Sequence, residues 1–223
     1  MTRVKHQSYP AAHWGKRVPG PSALLLYLGV SGELPELEHH TLLFTKKWKK
    51  GFNDIFGSPS AVPEPASIYV CKPSGVDPDV APEGSENVFV LVPIPADPTI
   101  GGRGDDRIEQ LADTIIEQIG EWAGIPDFAA RVTTRRTVGP NDFASELNAW
   151  RGTALGPAHV LKQSAFFREG NKSKKVQGLY YVGGSTIPGI GLPMCLISAE
   201  ILVKRLRGDT STGELPEPLE ATV

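Results

Sequence analysis

The sequence is short of cysteine, of long apolar runs and of excess charge, and each shortage narrows what the chain can be. Among its 223 residues only Cys71 and Cys195 are cysteines. They belong to no Cys-x-x-Cys pair and to no Cys/His ligand spacing, so two reduced, buried thiols are expected rather than a disulfide framework or a zinc knuckle. No metal site is expected from His39 and His40 either, because neighbouring residues on a strand face opposite sides. The longest apolar stretches, residues 23–30 and 192–197, fall well short of the roughly 20 residues a bilayer span needs. Residues 1–10 are polar and lead into no apolar segment of signal-peptide length. The expectation is a soluble or peripheral chain, cytoplasmic or on the inner face of the cell membrane. A formal net charge of -2 argues against nucleic acid as partner, a role that favours a strongly basic face.

Glycine and proline are plentiful, at 24 and 20 residues, which points to a globular chain with many turns and stays below the level of low-complexity disorder. Arg103-Gly104-Asp105 and the sequon Asn171-Lys172-Ser173 lack any context that would make them an adhesion or glycosylation site.

Residues 1–21 read as irregular. Residues 22–30 (SALLLYLGV) form a continuous apolar run between Pro21 and Gly32 and read as a buried strand. Residues 40–44 (HTLLF) read as a second strand, followed by a helix that Thr45 can cap, with apolar positions at Trp48, Phe52 and Ile55 or Phe56. Lys46, Lys47, Lys49 and Lys50 flank Trp48. They suit either a solvated face with Trp48 and Phe52 in the core or a contact with anionic headgroups. Strands are expected at 67–71 and at 87–93, the latter central in its sheet. Ile108, Leu111, Ala112, Ile115, Ile116 and Ile119 trace one face of a helix that stops at Gly120 or Gly124, before Pro126. Residues 131–138 read as a polar strand, at an edge or with one wet face, residues 140–149 start a helix near Asn141 or Asp142, and residues 208 onward read as a tail.

The chemistry concentrates in residues 180–194, YYVGGSTIPGIGLPM. The pattern reads as a short buried strand at 179–182, a glycine-rich turn and the start of an apolar helix at about 193–206. Gly183, Gly184, Gly189 and Gly191 leave room for a planar ligand to approach the backbone. Pro193 suits a first helical turn, and the helix start presents unpaired N–H groups and a positive dipole end. A ligand-binding turn and a tight turn built for packing both satisfy this pattern.

Residues 180–200 resemble the C-terminal motif of the bacterial phytoene desaturase family, a branch of the flavin amine-oxidase-like superfamily. That motif runs from an aromatic strand through Gly-Gly, Ser/Thr and Pro-Gly-x-Gly-x-Pro into an apolar helix with Ser-Ala-Glu. Residues 21–30, 39–44, 76–86 and 152–167 are also similar to family segments, in family order. The resemblance implies an α/β fold. It places a partial substrate-binding domain with a mixed sheet at 1–165, the C-terminal βα segment of a Rossmann-like FAD-binding domain at 166–207, and a flexible tail at 208–223. It implies FAD contacts from Gly183, Gly184, Ser185, Pro188, Gly189, Gly191, Leu192, Pro193 and Met194, and an apolar channel near His159, Phe166 and Phe167. It further implies desaturation of a lipid polyene such as phytoene by hydride transfer to flavin, at a membrane surface, with no catalytic base identifiable from the residues.

One family element is missing from these residues, the GxGxxG turn that holds the FAD pyrophosphate. Gly102-Arg103-Gly104 comes nearest, but it lacks the third glycine and sets Asp105 and Asp106 where phosphate would sit. The expectation is therefore a truncated or split protein needing a separately encoded N-terminal half. A non-catalytic remnant or interaction module, and a carotenoid isomerase or ketolase, are the other readings.

Overall fold

The computed structural model describes residues 4–215. Its helices are α1 (Ala11–Trp14), α2 (Trp48–Phe56), α3 (Asp106–Ala123), α4 (Phe128–Arg131), α5 (Pro140–Glu146) and α6 (Leu192–Arg207). Its strands are β1 (Ser22–Ser31), β2 (His40–Leu43), β3 (Ile68–Cys71), β4 (Ser85–Ile94) and β5 (Val132–Val138). The chain divides into two compact units: Pro19–Ala154, and the described parts of Met1–Val18 and Leu155–Val223.

The Pro19–Ala154 unit is built on a five-stranded sheet in the order β2-β3-β4-β1-β5. The expected mixed sheet is not formed, because every pairing between these strands is antiparallel. Parallel neighbours need a crossover that restores the strand's heading, and here each connection between paired strands returns the chain the opposite way. β1 pairs with β4 along its full length, Ser22 opposite Ile94 and Ser31 opposite Ser85. The apolar runs of both strands place them inside the sheet, while the threonines and arginines of β5 suit its edge.

One face of the sheet is sealed. Leu24, Leu26, Leu28 and Val30 of β1 and Val88, Val90, Val92 and Ile94 of β4 share a buried cluster with Ile108, Ala112, Ile115, Ile116 and Ile119 of α3. Fully burying each such side chain is worth about 1.5–3 kcal/mol. The alternate residues, Tyr27 and Phe89 among them, lie on the other face, where their rings pack 5.3 Å apart. β1 and β4 are thus dry on one side only.

The turn before α3 is closed by carboxylates. Gly102 N donates to Asp105 Oδ2 at 2.6 Å, and Asp142 Oδ2 accepts from both Arg103 N and Gly139 N at 2.8 Å. The amides a phosphate would need here are already engaged. Asp142→Ala should leave two amide donors without an acceptor and destabilise the protein by about 2–4 kcal/mol, read as a lower urea midpoint at unchanged slope.

In the second unit, residues 4–18 are more ordered than expected. α1 forms, and His13 Nε2 lies 2.7 Å from Glu169 Oε1. Gly170 N donates to the Tyr9 hydroxyl at 2.8 Å. These partners are 156 or more positions away in sequence, which is why local pattern does not reveal them. The expected strand at 179–182 is only a single bridge from Tyr180 to Lys172, with half-exposed neighbours; a strand needs a partner along its length, and one residue of partner is present. Part of the expected tail, residues 216–223, lies outside the described residues. Among the described residues no helix is long and apolar enough to cross a membrane.

Candidate functional site

The glycine-rich turn and the N-terminus of α6 form one continuous structure. Gly191 is the N-cap of α6, and the first helical hydrogen bond runs from Cys195 N to Gly191 O at 2.9 Å. The amides of Leu192 and Met194 therefore precede the ladder, and Pro193 has none to leave unpaired. Gly183 has φ 108° and Gly191 φ 110°, which side chains rarely adopt. A Cβ built on either would meet nothing within 4 Å. The backbone is thus bare on the side where the helix N-terminus opens, and Leu192 beside it is 85% exposed.

The other side of the turn is clamped. Asn171, 0% exposed, donates from Nδ2 to Tyr181 O and Ser198 Oγ at 3.1 Å and lies 3.3 Å from Thr186 Oγ1. Ser198 Oγ in turn accepts from Gly183 N at 3.1 Å and sits 2.8 Å from Thr186 Oγ1. Arg168 donates twice to Gly184 O, from Nε at 3.0 Å and Nη2 at 2.8 Å. Burial pushes the Arg168 guanidinium below its ordinary pKa, against the opposing pull of the Glu169 charge. The turn's shape is thus held by side chains from outside it.

Gly183, Gly184, Ser185, Pro188, Gly189, Gly191, Leu192, Pro193 and Met194 all fall on this turn and helix start. His159 joins them: a Cβ on Gly189 would lie 3.1 Å from its Nε2. Phe166 and Phe167 are 80% and 53% exposed and pack against each other at 5.2 Å, beside a cleft that Tyr9, His13, Arg17 and Glu169 also line. Sequence reasoning passed over Asn171, Arg168 and Ser198. Ser198 had a signal as the serine of Ser-Ala-Glu, whereas Asn171 was visible only as a sequon. Its complete burial leaves no room for a glycan in this fold.

The Pro19–Ala154 unit carries an apolar groove of about 550 Å³ lined by Phe44, Trp48, Phe52, Ile55, Phe56 and Pro93. α2 has no buried residue. Trp48 and Phe52 are 57% and 59% exposed, so their placement in the core is not realised. Both thiols are half-buried rather than buried.

The fold defines an α/β chain with an antiparallel-sheet unit and a glycine-rich turn at a helix N-terminus. No protein-family model matches it. It is 41% identical over 203 residues to a carotenoid 3,4-desaturase of Haloarcula japonica, covering 91% of this chain and 40% of that protein. It is 36% identical to a lycopene-forming phytoene desaturase of Paracoccus sp., covering 86% of this chain and 38% of the relative. A zeta-carotene-forming phytoene desaturase of Myxococcus xanthus is also 36% identical, over 83% of this chain and 35% of its own length. The chain belongs to the carotenoid (phytoene) desaturase family, and it spans about two fifths of the length of the relatives it matches.

Proposed function

We propose that the chain is the C-terminal part of an FAD-dependent carotenoid desaturase and that its glycine turn holds the isoalloxazine side of the cofactor. The observation that carries this reading is the bare backbone at Gly183 and Gly191 beside the N-terminus of α6, within a chain similar to desaturases along most of its length. A planar ring fits such a surface, since no Cβ stands between it and the backbone. Ser185, Pro188, Gly189, Leu192, Pro193 and Met194 complete the contact. The segment from 166 to 207 then acts as the βα end of a Rossmann-like FAD domain, with the sheet unit as part of the substrate domain. A separate segment or chain bearing GxGxxG supplies the pyrophosphate cradle.

Bound FAD would supply the two-electron sink, taking a hydride from an allylic carbon of a polyene such as phytoene while the adjacent carbon loses a proton and a new C=C forms. The protein's share is positioning and electrostatics. The first-turn amides and dipole of α6 favour negative charge at the reduced ring's edge by about 0.3–1 kcal/mol when exposed and up to about 2 when partly buried. The apolar groove beside α2 takes the lipid chain. Its lysine-flanked rim rests on anionic headgroups at the cytoplasmic face, each lysine contributing about 1 kcal/mol. The isomerase and ketolase readings gain no support from relatives that are named as desaturases.

The test is co-expression with a GxGxxG-bearing N-terminal part from a relative in a phytoene-making host. Coloured polyene and a flavin-bearing complex are expected, and Gly191→Val should deplete the flavin. A colourless host and a flavin-free complex would leave the remnant or interaction-module reading standing instead.

A further inference from the structure

The β2–β3 edge of the sheet gathers two imidazoles and a thiol that have no part in the flavin or polyene reading. His40 is the first residue of β2 and pairs across the ladder with Cys71, the last residue of β3. Directly opposed residues share a face, with Cβ atoms about 4.5–5.5 Å apart. His39 precedes the strand, so the alternation that would send it to the opposite side does not bind it. Its carbonyl accepts from Lys72 N at 2.9 Å, and its ring lies against that of His40 with centroids 4.1 Å apart. The expectation that these two histidines diverge is therefore corrected. One donor atom from each of His39, His40 and Cys71 lies within 4.8 Å of the others.

We propose that His39, His40 and Cys71 form a binding site for a borderline-soft divalent ion of the zinc class. With Zn–N near 2.0–2.1 Å and Zn–S near 2.3 Å, donors around one tetrahedral ion stand about 3.3–3.6 Å apart. The trio is at most about 1.2–1.5 Å wider than that, a gap that side-chain rotations close, since His40 is exposed and the other two are half-buried. A thiolate with two imidazoles selects zinc or copper over magnesium and calcium, which prefer all-oxygen shells. Binding exchanges the Cys71 thiol proton for the metal–sulfur bond and releases that proton to solvent. The Tyr69 hydroxyl, 2.8 Å from His40 Nδ1, is an outer partner that orients this ring. Three protein ligands leave the fourth position to water on the exposed side. The ion would tie the loop before β2 to the end of β3 and so pin the short edge strand.

The test uses the full 223-residue chain, titrated with cobalt(II) as a spectroscopic probe and with zinc against a chromophoric chelator. One equivalent should bind, with a thiolate-to-cobalt charge-transfer band. Cys71→Ser should abolish the band and weaken zinc on the order of 100-fold or more, and His39→Gln and His40→Gln should each weaken it more than about tenfold. Cys195→Ser should change neither readout. His40 is exposed, so its variant carries the test if Cys71→Ser fails to fold. No band in the parent chain, a band surviving Cys71→Ser, zinc affinity untouched by His40→Gln, or a band lost in Cys195→Ser would each overturn the proposal.

Discussion

Asn171→Leu is expected to lower stability by about 2–4 kcal/mol and to release the glycine turn from α6. Leucine keeps the branched shape and heavy-atom count but is bulkier, so no cavity opens and the loss comes from hydrogen bonding and overpacking. The Tyr181 carbonyl loses its donor at 3.1 Å, and a buried acceptor left alone costs about 1–3 kcal/mol. Ser198 and Thr186 lose a shared partner but keep each other at 2.8 Å, which is why the sum stays below three separate losses. Urea unfolding reads the stability. Ser198→Ala separates the effects: it removes the acceptor for Gly183 N and should cost less, about 1–2 kcal/mol. If flavin sits on this turn, the flavin content of the assembled enzyme falls in Asn171→Leu even below its unfolding midpoint. Unchanged stability would mean that the turn is held by its own backbone.

Phe52→Asp is expected to do the opposite, leaving stability nearly unchanged and removing capture of a lipid chain. The helix it stands on has no fully buried residue and Phe52 itself is mostly exposed, so the change should stay within about 0.5 kcal/mol. An ionised carboxylate in the middle of an apolar groove must keep its hydration, and an incoming hydrocarbon would strip it. Polyene turnover in the assembled enzyme should fall at least about tenfold while the melting temperature holds. Anionic vesicle binding should weaken less, and should weaken further with salt, because the four lysines around Trp48 act through a field screened over about 8–10 Å. Equal turnover in Phe52→Asp would remove α2 from the substrate path.

Most of the sheet was legible in the sequence. β1, β3, β4 and α3 announce themselves by apolar runs and an i, i+3, i+4 stripe, and the expected bounds fall within a few residues of those observed. The polar character of β5 followed from its threonines and arginines, which suited either an edge position or one wet face. Two kinds of feature were not legible. Strand heading is one: pattern marks a strand but not the direction of its neighbour, so a mixed sheet was expected where an antiparallel one forms. Long-range polar contacts are the other. Asn171, Arg168 and the pairing of His13 with Glu169 act across distances in sequence that no local period encodes. The glycine turn and the helix start after it could be read from composition, but the clamp that shapes the turn could not. His39 and His40 were misjudged for a third reason, since alternation applies inside a strand and His39 stands one residue outside.

The placement of β1 has a consequence for how the protein is made. This interior strand is made before the rest of its sheet, yet its partner β4 begins at residue 85 and its other neighbour β5 at residue 132. At about 5–20 residues per second, the SALLLYLGV run emerges several seconds before either can pair with it. During that interval it is an apolar, β-prone and uncharged segment, the kind most prone to self-association. Its fate then depends on chaperone cover and translation speed, and pairing over such separations is slow even when all the strands are present. Yield in a heterologous host should therefore respond to growth temperature and holdase supply more than to any change at the glycine turn.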